Sequence, residues 1–141
     1  MYHLISLIAL IGLASAAPQR ISVEVVSSTA GGKVYVAAYA SQAGFQNEDF
    51  IANASASLDA AADRTELALR VPERGRYVIA AFQDMNGNGE LDRNFLGVPT
   101  EPYGFAKLPP SKWRSPSFTE VATDLDDSDH FRIEMRRWSE Y

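Results

Sequence analysis

What most constrains this chain is an alternation. Ile21, Val23 and Val25 are separated by Ser22 and Glu24; Val34, Val36 and Ala38 stand opposite Lys33, Tyr35 and Tyr39; Leu67, Leu69 and Val71 stand opposite Glu66, Ala68 and Arg70; Phe131, Ile133 and Met135 alternate with Arg132, Glu134 and Arg136. A period of two puts all the apolar side chains of an extended strand on one face, whereas a helix would scatter them around its axis. Half-buried strands are therefore predicted over 20–27, 33–40, 65–71 and the last alternating run, which ends near Trp138. Residues 77–82 are apolar on both faces, the mark of a central strand. Polar or glycine-rich turns fall at 28–32, 72–75 and 126–129. The first two strands read as a hairpin. Residues 117–125 supply a further strand. A short strand is placed within 51–62, where alanines favour helix but Ser55, Ser57 and Asp59 break any helical face. Residues 41–50 are a connection pinned by Phe45 and Phe50. The sum is an all-β chain: a single antiparallel β-sandwich of about seven strands, with a long ordered loop over 94–116.

The ends and the composition narrow the setting. Leu4–Leu13 is apolar and Ala14-Ser15-Ala16 is a small-x-small cleavage signal, so residues 1–16 read as a signal peptide and 17–141 as one domain. The apolar run is shorter than the roughly 20 residues that span a bilayer, so the mature chain is expected to carry no transmembrane segment. The expected location is the periplasm or beyond. The Met1-Tyr2-His3 start lacks a lysine or arginine, which leaves an uncleaved anchor or a buried strand as the alternative. Net charge is −5, which repels nucleic-acid backbones, and the absence of cysteine excludes disulfides, thiolate metal sites and a cysteine nucleophile.

One stretch carries chemistry. In Asp84-Met85-Asn86-Gly87-Asn88-Gly89-Glu90-Leu91-Asp92, oxygen-bearing side chains recur at every second position, a glycine follows at the sixth, and Asp92 closes the run. These are the first nine positions of a calcium loop, in which the first, third and fifth side chains, the seventh carbonyl and the ninth position supply hard oxygen ligands. The expected ligands are Asp84, Asn86, Asn88, Glu90 through its carbonyl, and Asp92. The twelfth position, where a bidentate glutamate belongs, is Phe95, and Glu101 is the candidate replacement. With two asparagines for aspartates the site holds little charge, so calcium affinity is expected near 10⁻⁴–10⁻³ M, about the extracellular range. The alternative is a plain polar turn, since Asn86-Gly87 and Asn88-Gly89 are both type I′ signals.

Other groups point less far. Asp124, Asp126, Asp127 and Asp129 read as a solvated turn before they read as a second cation site. His130 has neither cysteine nor, past residue 16, a second histidine to build a zinc site with, and no nucleophile motif accompanies it. Asp92 and Glu101 as a glycosidase pair would need a separation that the sequence does not fix. Trp113, Tyr103 and Phe105 form either a stacking platform or the loop's own small core. Asn53-Ala54-Ser55 spells a glycosylation sequon short enough to arise by chance.

Three runs carry a resemblance: Gly75-Arg76-Tyr77-Val78-Ile79-Ala80, the loop Asp84–Asp92, and Leu96-Gly97-Val98-Pro99-Thr100-Glu101-Pro102-Tyr103-Gly104-Phe105, followed by Pro116-Ser117-Phe118. In these the chain resembles a bacterial family of exported proteins, domain-of-unknown-function family 2141. Ala106 departs from the pattern, which has a serine after the Gly-Phe pair. The resemblance implies a transthyretin-like or immunoglobulin-like sandwich and no assigned activity. The C-terminal Tyr-Arg-Gly-Ser of the transthyretin-related purine hydrolase is replaced by Trp138-Ser139-Glu140-Tyr141, so that activity does not transfer. The expectation is an exported, non-catalytic β-sandwich whose calcium-ordered loop presents a surface to a protein or glycan. The alternatives are a metal-assisted hydrolase of an envelope substrate and a purely structural module.

Overall fold

The computed structural model describes residues 17–59 and 61–141; the signal-peptide expectation, residues 1–16, lies outside them. Among the described residues the strands are, in chain order, β1 (Gln19–Ser27), β2 (Lys33–Tyr39), β3 (Ala52–Ser57), β4 (Arg64–Val71), β5 (Arg76–Asp84), β6 (Tyr103–Phe105), β7 (Thr123–Asp124) and β8 (His130–Met135). Two short helices, α1 (Gln42–Gln46) and α2 (Phe118–Val121), and a terminal 3-10 turn, Trp138–Glu140, complete the chain. No helix among the described residues is long and apolar enough to cross a membrane.

The strands form two sheets. One has the order β4-β1-β8; the other runs β3-β2-β5-β6, with β7 beside the start of β5. The alternating apolar residues of both sheets meet in one core that includes Ile21, Val23, Val25, Val34, Val36, Leu67, Leu69, Ile79 and Ile133. Each fully buried side chain of this kind contributes roughly 1.5–3 kcal/mol relative to exposure. β5 is covered on both faces, as its sequence predicts: Tyr77, Ile79 and Ala81 enter the main core, while Val78 joins Val121 and Ala122 in a second cluster on the outer face, against Phe45, Phe105 and Phe118.

Several expectations are corrected. β1 and β2 are not a hairpin: β1 pairs with β4 and β8, while β2 pairs with β3 and β5. Gly31 and Gly32, at φ 87° and 72°, turn the chain from one sheet into the other. Alternation fixes which face points inward, not which strand lies alongside. The architecture is not purely antiparallel either, because β1 and β8 run parallel, from Ser22 opposite His130 to Ser27 opposite Met135. Residues 117–125 give a helix and a two-residue strand. The reason lies in Ser117 and Glu120, an N-cap serine with an acid three residues on: the Ser117 N–H donates to Glu120 Oε2 at 2.8 Å, which starts a helical turn. In residues 41–50 a helical turn forms at α1, and Phe45 pins it while Phe50 stays 47% exposed.

The long 94–116 segment contains β6, which pairs with β5 from Ala80 opposite Phe105 to Phe82 opposite Tyr103. β6 also closes one side of the molecule. Tyr103 and Arg136 exchange both backbone hydrogen bonds at 3.0 Å, joining the two sheets. Gly104 makes this crossing possible, since a Cβ there would sit 2.7 Å from Ile133 Cγ2 and 2.8 Å from the Glu134 carbonyl oxygen.

Candidate functional site

The polar loop is delivered by the last two residues of β5. Gln83 is completely buried, with its side chain built into the β1–β2 turn: Nε2 donates to the carbonyls of Thr29 (2.8 Å) and Gly31 (2.6 Å), and Oε1 accepts from Ser27 Oγ at 2.6 Å. A buried amide with every group bonded fixes direction as well as position. Gly32 lies directly beneath the next residue; a Cβ on it would be 2.5 Å from the Asp84 carbonyl oxygen. Gln83 is thus a positioning residue that the sequence reading missed. The available signal was a polar side chain at an inward position of a core strand.

Asp84 is only 2% exposed, and the loop folds around its carboxylate. Oδ1 accepts the N–H groups of Gly87 (2.8 Å) and Asn86 (3.3 Å), and Oδ2 accepts that of Gly89 (2.7 Å). Gly87 and Gly89 take φ 78° and 76°, a left-handed conformation that lets successive amides point at one oxygen pair. Burial acts to raise the Asp84 pKa, but the N–H groups of Gly89, Gly87, Asn86 and Asn88 outweigh it and hold the carboxyl below its ordinary value.

The two asparagines extend the pattern. Asn86 Oδ1 accepts the Asn88 N–H at 3.1 Å, and Asn88 Oδ1 accepts the Glu90 N–H at 3.0 Å. Their amide nitrogens both turn to Asp92: Asn88 Nδ2 donates to Oδ1 at 2.7 Å, and Asn86 Nδ2 donates to Oδ2. Glu101, 5% exposed, joins the two ends of the loop. Its Oε1 accepts the Met85 N–H at 2.8 Å and its Oε2 the Asp92 N–H at 3.1 Å.

The structure therefore brings Asp84, Asn86, Asn88, Asp92 and Glu101 into one hydrogen-bonded unit, with the Glu90 backbone attached and its side chain exposed. The donor set is oxygen throughout, the chemistry a hard cation needs. The carboxylates of Asp84 and Glu101, however, are already engaged by backbone N–H groups, and that of Asp92 by amide N–H groups. Among the described residues no group of three or more acidic or histidine side chains converges as a metal cage. What remains for a cation is the second lone pair on each asparagine oxygen, the Glu90 carbonyl and the outer side of Asp92.

Beyond Asp92 the chain makes a hydrogen-bonded spike. Asn94 Oδ1 accepts the N–H groups of Leu96 (2.9 Å) and Val98 (3.1 Å), Gly97 turns at φ 77°, and Arg93 pairs with Pro99 at the base. Phe95 and Leu96 at its tip are 95% and 72% exposed. Thr100 ties the spike to the loop through its N–H bond to the Asp92 carbonyl at 2.9 Å. The aromatic trio divides. Tyr103 stacks on Tyr141 with centroids 4.9 Å apart and Phe105 packs on Phe45, whereas Trp113 is 77% exposed, edge-on to Trp138 at 5.2 Å. His130 opens β8 and is exposed. In the acidic turn, Asp124 Oδ1 accepts the Asp126 N–H at 2.9 Å, and Asp126 lies 3.7 Å from Arg74. Ala106, half-buried, donates its N–H to the Ile79 carbonyl at 2.9 Å and extends the β5–β6 pairing.

No curated protein and no solved structure matches the chain. A family model does, over residues 21–132, which runs from within β1 to the first half of β8 and takes in the whole loop. The strand pattern and the loop motif thus lie within one family unit, and the chain belongs to the family of uncharacterized proteins conserved in bacteria, DUF2141.

Proposed function

We propose that this protein is an exported, non-catalytic β-sandwich whose 84–92 loop binds calcium weakly and thereby sets the adjoining spike against a protein or glycan partner. The observation that carries the reading is the chain of side-chain oxygens Asp84, Asn86 and Asn88, each accepting an N–H further along the loop, with Asp92 facing both amides. Asn86 Oδ1, Asn88 Oδ1, the Asp92 carboxylate and the Glu90 carbonyl would hold the ion, with Asp84 and Glu101 bracing the loop. The bound ion would offset the negative charge gathered there. Thr100 and the Arg93–Pro99 pairing couple the loop to Phe95 and Leu96, whose exposure favours a contact surface. Export is supported by the Leu4–Leu13 run and Ala14-Ser15-Ala16; the N-terminal sequence of the secreted protein tests it.

Calcium titration by calorimetry tests the site, with a dissociation constant in the range of about 10⁻⁴–10⁻³ M expected. Asn88→Ala together with Asp92→Ala should abolish the heat. Absence of calcium binding to the wild-type protein at millimolar concentration would remove the metal reading and leave a self-bonded polar turn.

A further inference from the structure

One side of the molecule is joined by backbone hydrogen bonds between the sheets and the other is not. On the joined side those bonds run between Tyr103 and Arg136. On the opposite side β3 and β4 approach each other without pairing, so each remains an edge strand of its sheet. Exposed sheet edges invite pairing with another chain, and proteins guard them with charges, proline or bulges. β4 is guarded by exposed Arg64, Glu66 and Arg70. β3, Ala52-Asn53-Ala54-Ser55-Ala56-Ser57, has no charge and no proline, and its register with β2 is unbroken from Ala52 opposite Ala38 to Ser57 opposite Lys33. Leu58 N–H donates to the Gly32 carbonyl at 3.1 Å, in continuation of that register. Even-numbered residues of β3 therefore bond to β2, and Asn53, Ser55 and Ser57 turn their N–H and carbonyl groups outward. Among the described residues nothing bonds to those outward groups.

A second observation falls at the same place. An open groove of about 520 Å³ is lined by Ala52 and Asn53 of β3, Ala68 and Arg70 of β4, and Arg20 of β1. Arg20 and Arg70 stand directly opposite each other in the β1–β4 register, an arrangement that like charges disfavour. Elsewhere on this face the arginines are matched: Arg64 lies 3.3 Å from Glu24, Arg132 3.5 Å from the same carboxylate, and Arg136 2.9 Å from Glu134. Among the described residues Arg20 and Arg70 have no acidic partner within ion-pair distance, although the chain carries a net charge of −5.

We infer that the β3 edge is a docking strand for an extended acidic segment of a partner protein, which adds to the sheet beside Asn53, Ser55 and Ser57 and places a carboxylate between Arg20 and Arg70. Backbone bonds supply the affinity of such strand addition and side-chain pockets the selectivity. A bidentate carboxylate contact is what two guanidinium groups favour. A second copy of this chain pairing through β3 is the less complementary occupant, because β3 contains no acid to bring to the groove. The inference does not depend on calcium.

The test is selection of random decapeptides against the purified protein, with a Ser55→Pro variant as the counter-surface. The Ser55 N–H points away from β2, so proline there removes an outward donor and no β2–β3 bond; an unchanged circular dichroism spectrum checks the fold. Enriched peptides should alternate β-branched residues and carry an aspartate or glutamate. Replacing that acid by its amide, N-methylating the peptide backbone, or introducing Arg70→Gln should each weaken binding at least about tenfold, roughly the loss of one charge-assisted contact. Three results would overturn the inference: no enrichment over Ser55→Pro, enriched peptides without acids, or a wild-type dimer that Ser55→Pro converts to monomer.

Discussion

Two stretches of this chain look alike on paper. Asp84–Asp92 and Asp124–Asp129 both start at the last residue of a strand, both begin and end with aspartate, and in both an aspartate oxygen accepts the N–H two residues on. In the first, the leading aspartate is buried and gathers three loop amides, and Glu101 reaches in from 16 residues away to hold Met85 and from nine residues away to hold Asp92. In the second, Asp126, Asp127 and Asp129 lie exposed, and Asp126 has a 3.7 Å ion pair with an exposed Arg74. The difference teaches that local acidic spacing makes a turn. A brace from elsewhere in the chain makes an organised loop.

The comparison can be broken most sharply at Asp84. Asp84→Ala leaves the N–H groups of Asn86, Gly87 and Gly89 without their acceptor and should destabilise the protein by roughly 3 kcal/mol in chemical unfolding. Glu101→Ala removes the acceptor of two backbone N–H groups, and about 2 kcal/mol is expected; Glu101→Gln keeps one acceptor oxygen and should lose about half of that. Calcium sharpens the contrast next. At about 1 mM ion and a dissociation constant near ~0.1 mM, the wild-type protein should gain about 1.4 kcal/mol, read as a rise of a few degrees in melting temperature, and Asn88→Ala/Asp92→Ala should gain none.

Acid supplies a further contrast. The folded-state pKa of Asp84 is lowered, so its contribution is complete above the ordinary value of 3.8 and is lost as pH falls below that toward the folded pKa. The amide resonances of Gly87 and Gly89 should therefore hold their positions through pH 3.8 and move only in stronger acid. The smallest effect belongs to the other turn: Asp126→Ala should change stability by less than about 0.5 kcal/mol, as exposed substitutions do. Equal losses for Asp84→Ala and Asp126→Ala would erase the distinction between the two turns.

Much of the framework was legible because inward alternation is written directly into β1, β2, β4 and β8, and two-faced apolarity into β5. Neighbours were not legible. Nothing in Ser28–Gly32 distinguishes a hairpin from a crossing between sheets, and nothing in Phe131–Met135 says that it will lie parallel to β1. α2 could have been read from Ser117 and Glu120, but the apolar residues around them fit a strand equally well. β6 was hidden because three residues carry too little alternation to register. At the loop, spacing pointed to Asp84, Asn86, Asn88 and Asp92, and the chain brings them together. The use of Glu101 as an acceptor for two backbone amides depends on contacts across the loop that no local pattern contains. The same holds for the amide nitrogens that face Asp92.

The parallel pairing of β1 with β8 has a consequence in time. Glu24 and Arg132, neighbours across that pair, are 108 positions apart in the chain. β1 is the middle strand of its sheet, and its other partner, β4, is also dozens of residues downstream. A polypeptide made from its amino end thus emerges with its innermost strand waiting for the last one to arrive. Closing so distant a contact is slow, so this fold should reach its final form only after β8 has been made.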